Sequence, residues 1–163
     1  MKLALIRRAG SRHGGAELYT GRLLAALVEA GHEVHLFAED WADLPAGVTW
    51  QRVAVTGPRH ARPRRFAEEV LRQLDPRAFD CVFSLERTLR QDVYRAGDGV
   101  HAAWLAQRRR FAPWWRRPWI GRGAFHREML APERRTFDPA NTRHAIANSE
   151  TVRDEARAHF DLP

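Results

Sequence analysis

The sequence predicts an α/β domain with a mostly parallel sheet flanked by helices. Three observations carry that prediction. Short apolar runs of strand length occur at residues 3–6, 33–38, 48–55, 80–85 and 143–147. Segments with apolar residues at helical spacing stand among them, at 16–28, 64–74, 124–137 and 149–159. The first strand, a glycine loop, a helix and a second strand follow one another within residues 3–38, a unit that makes two parallel strands with a right-handed crossover.

Each element has its own reason. L-A-L-I at 3–6 is a short buried strand, and a loop with the paired glycines Gly14 and Gly15 follows it. Ala16, Leu23, Leu24, Leu27 and Val28 mark the first helix, and Gly31 ends it. Residues 39–47 form a loop containing Asp40, Trp41, Pro45 and Gly47. The strand at 48–55 places Val53 and Val55 on one face, and the basic stretch 56–65 turns at Gly57, Pro58 and Pro63. The helix at 64–74 directs Phe66, Val70, Leu71 and Leu74 inward and stops at Asp75-Pro76. Residues 80–94 form a later strand region, which leads into R-A-G-D-G-V-H. After His101 the chain reads as irregular, interrupted by Pro113, Pro118, Gly121 and Gly123. A helix at 124–137 and a strand at 143–147 precede the last helix, which Ser149 caps and whose first turn holds Glu150.

Length and composition bound the possibilities. The 163 residues suffice for one domain with a sizeable core. A single cysteine, Cys81, allows no disulfide within the chain. The apolar opening is too short for a signal peptide, and no apolar run is long enough to span a membrane, so a cytoplasmic protein is expected. The histidines are scattered and offer no metal constellation.

The charge is concentrated. Twenty-seven Lys and Arg face twenty Asp and Glu, for a net charge of +7. Residues 104–127 carry seven arginines and no acid, so the rest of the chain is balanced. Arg108, Arg109, Arg110, Arg116 and Arg117 lie there beside Trp104, Trp114, Trp115 and Trp119, four of the six tryptophans. That mixture suits a membrane interface, where tryptophan sits at headgroup depth and arginine meets anionic lipid. It also suits anionic groups on a substrate, or a solvated basic surface over buried tryptophans. A non-catalytic lipid- or nucleic-acid-binding basic domain is the alternative class. No helix-turn-helix, zinc-finger or RNP pattern supports the nucleic-acid version.

In a parallel sheet, ligands bind beyond the carboxyl ends of the strands. Gly14 and Gly15 follow the first strand, Asp98 and His101 the later strand region, and Asn148-Ser149-Glu150 the last strand. Glycines before a helix let backbone N–H groups approach an anion. G-x-G-x-x-G is absent and no Gly-Lys-Ser/Thr follows, so the pair reads equally as a tight turn.

Three motifs in order resemble the family 4 (group 1) retaining glycosyltransferases. G-G-A-E-L-Y-T-G-R-L-L-A-A-L-V-E-A-G-H-E-V is similar to their opening. Q-D-V-Y-R-A-G-D-G-V-H-A-A-W resembles a mid-domain segment of the lipopolysaccharide core glucosyltransferases, and I-A-N-S-E-T-V-R-D-E resembles the signature near the end of the N-terminal domain. The resemblance implies one half of a GT-B fold, a Rossmann-like domain spanning residues 1–163 that binds the acceptor. The donor-binding C-terminal domain is then expected in cis or in trans, and this chain alone should not transfer sugar efficiently. The resemblance further implies a nucleotide-diphosphate sugar as donor, no other cofactor, and a saccharide or glycolipid acceptor at the inner face of the cytoplasmic membrane. By motif, Gly14 and Gly15 approach the donor diphosphate, and Asp98 stands near the transferred sugar or acceptor hydroxyl as the catalytic position. His101, Ser149 and Glu150 are candidates for acceptor or sugar contact, and residues 104–127 for contact with the membrane or an anionic acceptor.

Overall fold

The computed structural model describes residues 1–8 and 15–160. Six strands form one sheet: β1 (Lys2–Ile6), β2 (Glu33–Ala38), β3 (Val48–Arg52), β4 (Cys81–Ser84), β5 (Gln91–Ala96) and β6 (Thr142–Ala147). Their order across the sheet is β3-β2-β1-β4-β5-β6, and every neighbouring pair is parallel. Five helices flank it: α1 (Gly15–Glu29), α2 (Arg62–Gln73), α3 (His101–Phe111), α4 (Ala124–Thr136) and α5 (Glu150–Phe160). This is the doubly wound arrangement, and its order reverses between β1 and β4.

Alternation along the strands divides the core. Ala4 and Ile6 of β1 join Phe37, Val82 and the α2 residues Phe66 and Val70 on one face. Leu5, between them in sequence, joins Val34, Leu36 and Leu24 of α1 on the other. A third cluster joins Tyr94 and Ala96 of β5 to Ala103 of α3, Phe137 and Ala156 of α5. Helix α1 ends as its glycine requires. Gly31 adopts φ +80°, its N–H bonds the carbonyl of Val28 at 2.9 Å, and the N–H of His32 bonds that of Leu27 at 3.1 Å. These two bonds satisfy the last carbonyls of the helix.

Several expectations change. The strand at 48–55 stops at Arg52, although Val53 still packs in the core. Leu71 is 46% exposed rather than inward, because the buried stripe of α2 runs through Phe66, Ala67 and Val70 to Leu74 just past its end. The region 80–94 holds parts of two parallel strands joined by only six residues, with no helix between them. The link works because β4 is only four residues long, so a short extended return of about 20 Å reaches the start of β5. The chain after His101 is not irregular at first: eleven residues form α3 before the prolines interrupt it.

Candidate functional site

The reversal of strand order leaves a crevice beyond the carboxyl ends of β1 and β4. A cleft of about 240 Å³ occupies it, lined by Arg7, Leu85, Gly15, Tyr19, Thr20, Arg95, Gly97 and Asp98. Three segments therefore converge: the end of β1, the first turns of α1, and the turn after β5. Gly15 opens α1, is exposed, and has open space where a Cβ would stand. Gly14, the other half of the predicted anion loop, lies outside the described residues. Asp98 is exposed on the rim.

The turn that carries Asp98 is braced from several sides. The Gly97 carbonyl accepts from Asn148 Nδ2 at 3.1 Å, so the last strand does reach this edge. The Gly99 carbonyl accepts from Arg87 Nη2 at 2.8 Å, and Gly99 itself adopts φ +69°, a conformation glycine takes without strain. Arg87 Nε also donates to Glu133 Oε1 at 3.0 Å, and both side chains are buried. Glu133 then accepts the first two backbone N–H groups of α3, from His101 at 2.7 Å and Ala102 at 3.0 Å. A buried carboxylate from α4 thus caps α3, where the sequence offers no side-chain cap of its own.

A second charged group lies under the cleft. Burial pushes the Glu86 carboxyl above the usual carboxylate range, opposed by the charges of Arg7 and Arg8 and by the Arg8 N–H at 3.3 Å. Arg7 Nη1 stands 3.4 Å from Glu86 Oε1 and donates to the Leu85 carbonyl at 3.3 Å. Its Nε is buried without a hydrogen-bond partner among the described residues. Arg95 is placed differently. Its guanidinium lies 4.3 Å from the centre of the Tyr19 ring and makes no ion pair among the described residues.

The remaining predicted residues lie elsewhere. The backbone of His101 starts α3, and its ring joins an aromatic cluster outside the cleft lining. There Nε2 is 3.1 Å from His126 Nδ1, and the ring stacks 5.5 Å from Trp104. Ser149 caps α5 by accepting the Val152 N–H at 3.3 Å. Glu150 projects from the first turn of α5, 4.0 Å from Arg153. Neither lines the cleft. Among the described residues no group of three or more His, Cys, Asp or Glu could hold a metal ion. Burial and the nearby Asp92 push the Cys81 thiol up, away from the reactive thiolate.

The Trp/Arg segment forms a hairpin of α3, a turned connection and α4, directly after the Asp98 turn. Its tryptophans are not buried beneath a basic surface: Trp114 is 80% exposed, Trp119 71% and Trp115 54%, while Trp104 and Phe111 also face outward. Five of its seven arginines divide into two sets. Arg109 and Arg117 hold the connection together through the carbonyls of Ile120 and Ala112, at 2.9 and 3.0 Å. Arg108, Arg116 and Arg122 lie over Trp104, Trp115 and Trp119, at 5.1, 4.6 and 5.6 Å from the ring centres. No helix among the described residues is long and apolar enough to cross a membrane. Sequence reading missed Arg7, Tyr19, Arg87, Arg95 and Glu133 as site-building residues. Asn148 was placed at this edge by its position after the last strand, and it does brace the turn.

The doubly wound parallel sheet, with a cleft at its reversal point, is an architecture shared by many α/β proteins, and this one matches one half of a GT-B glycosyltransferase fold. The sequence model of Glycosyltransferase Family 4 matches residues 13–163, and the chain belongs to that family. Among solved structures it is similar to WaaG, described as a glycosyltransferase involved in lipopolysaccharide biosynthesis, with a TM-score of 0.82 and 21% identity. That likeness covers 99% of this chain and 42% of WaaG, so the chain spans less than half the length of that enzyme. No curated protein matches the sequence.

Proposed function

We propose that this chain is the acceptor-side half of a retaining glycosyltransferase. The enzyme moves a sugar from a nucleotide-diphosphate donor to a membrane- or lipid-linked saccharide of the lipopolysaccharide type. The observation that supports this most is the meeting of the α1 N-terminus and Asp98 in one cleft, with the exposed Trp/Arg hairpin starting a few residues beyond. Backbone N–H groups at the start of α1 offset the charge that develops on the departing diphosphate. Asp98 orients the acceptor hydroxyl on the same face of the sugar, and that positioning supplies much of the rate. A second domain, in cis or in trans, holds most of the donor. The hairpin seats the protein on the inner face of the cytoplasmic membrane, with Trp114, Trp115 and Trp119 at headgroup depth and the arginines on anionic lipid.

Two experiments test this. In flotation with phosphatidylglycerol vesicles, the chain binds and added salt weakens the binding. Arg116→Glu reverses one charge and weakens it by about 2 kcal/mol, at about 1 kcal/mol per unit charge. Trp114→Ala with Trp115→Ala weakens it further. Binding to oligonucleotides without binding to vesicles would favour the nucleic-acid alternative. In the enzyme completed by its second domain, Asp98→Ala lowers turnover far more than nucleotide-sugar affinity, and the product keeps the donor's anomeric configuration. Equal losses in both would remove Asp98 from the chemistry.

A further inference from the structure

The cleft contains one feature that neither the membrane hairpin nor the diphosphate role uses. Arg95 and Asp98 line the same cleft of about 240 Å³, yet neither makes an ion pair with any described residue. Arg95 is instead held in place by the face of Tyr19, at 4.3 Å from the ring centre. Gly97 makes room for it, since a Cβ there would stand 2.6 Å from Arg95 Nη1. Stacking on an aromatic face fixes the plane of a guanidinium and leaves its edge N–H groups open, a geometry suited to the two oxygens of a phosphate or carboxylate. Arg7, the other arginine among the described residues of the cleft lining, is already faced by Glu86 at 3.4 Å, so among those residues the unmatched positive charge is that of Arg95. Asp98, on the rim of the same cleft, accepts hydrogen bonds and repels anions. A neutral sugar would not use the charge of Arg95, and a bare anion would meet the repulsion of Asp98. A saccharide that carries an oxyanion satisfies both.

We propose that Arg95, braced by Tyr19 and admitted by Gly97, receives a phosphate or carboxylate borne by the acceptor saccharide while Asp98 holds one of its hydroxyls. The acceptor is then an anionic sugar. This rests on reading the cleft as the site of glycosyl transfer. The oxyanion could equally belong to the donor's diphosphate, and the test separates the two sources.

The 163-residue chain is titrated with glucose 6-phosphate, glucose and inorganic pyrophosphate, followed by NMR or calorimetry. Glucose 6-phosphate is expected to bind about ten- to a hundredfold more tightly than glucose, the range for charge-assisted hydrogen bonds. Arg95→Gln abolishes that preference, Arg95→Lys restores only part of it, and Arg77→Gln, at an exposed arginine outside the cleft lining, leaves it intact. Asp98→Asn weakens glucose and glucose 6-phosphate alike. Circular dichroism checks that each variant is folded, and Tyr19→Leu, which frees the guanidinium without removing its charge, gives an intermediate loss. Equal affinity for glucose and glucose 6-phosphate, or a preference that survives Arg95→Gln, overturns the proposal. Pyrophosphate binding that depends on Arg95, with no preference for the phosphorylated sugar, assigns the arginine to the donor and also overturns it. If turnover of the completed enzyme depends on Asp98 while the phosphate preference is absent, the glycosyl-transfer reading stands and this inference falls. If the preference is present while Asp98→Ala leaves turnover intact, the anion receptor stands and the catalytic reading falls.

Discussion

Glu133 shows how much one side chain decides here. It is fully buried, yet it takes three N–H donors: Arg87 Nε and the first two amides of α3. Buried charge is tolerated only with such partners. Glu133→Ala leaves the Arg87 guanidinium uncompensated and uncaps α3, so a loss of about 3–5 kcal/mol is expected from denaturant midpoints. Glu133→Gln keeps one acceptor oxygen and should lose less. Asp98→Ala, by contrast, removes an exposed side chain and should shift stability by no more than about 0.5 kcal/mol. The two variants separate holding the turn from using it. Nothing in A-P-E-R-R distinguishes Glu133 from an ordinary surface residue. Its partners come from 31 to 46 positions away, and only folding brings them together.

At the scale of elements, the α3–α4 hairpin joins the cleft to the exposed aromatic surface. One joint between its helices is the pair His101 and His126, packed with Trp104 and Phe125. Burial holds the His101 pKa below its ordinary value of 6.5; Glu133 pulls it up, while Arg87 and His126 push it down. The folded form therefore resists protonation that the unfolded chain accepts. The unfolded state binds more protons below about pH 6.5, so stability falls as pH falls through that value. Melting temperature should drop between about pH 7.5 and about pH 5.5, and His101→Gln should flatten that part of the profile. The existence of this hairpin was hidden in the sequence. Pro113, Pro118, Gly121 and Gly123 do mark the turned connection, but α3 before them has no strong amphipathic stripe, because it buries only Ala103 and Leu105 while Trp104 and Phe111 face outward among the arginines.

For the whole molecule, the sheet separates two cores. Leu24 fills the α1 side and Phe66 the α2 side, and both are fully buried. Leu24→Ala should cost about 2–5 kcal/mol and Phe66→Ala about 3–5 kcal/mol. Because the sheet lies between them, the double variant should cost nearly the sum. Leu71→Ala, on the exposed edge of the α2 stripe, should change stability little. Urea unfolding of the four variants checks the division.

The sequence by itself determined the class of fold and the placement of most elements, because period and chain punctuation are local properties. Gly31 must end α1, Ser149 suits the start of α5, and the alternation of strands and helices argues for a mostly parallel sheet. It also determined that Gly15 and Asp98 lie at strand ends where ligands gather. Tertiary structure alone decided that these two share a cleft, that Arg95 leans on Tyr19 rather than on Asp98, and that the tryptophans of 104–127 face outward. Those outcomes depend on contacts between residues far apart in the chain and on which face of each element the core leaves free. Burial and pairing of that kind have no local signature.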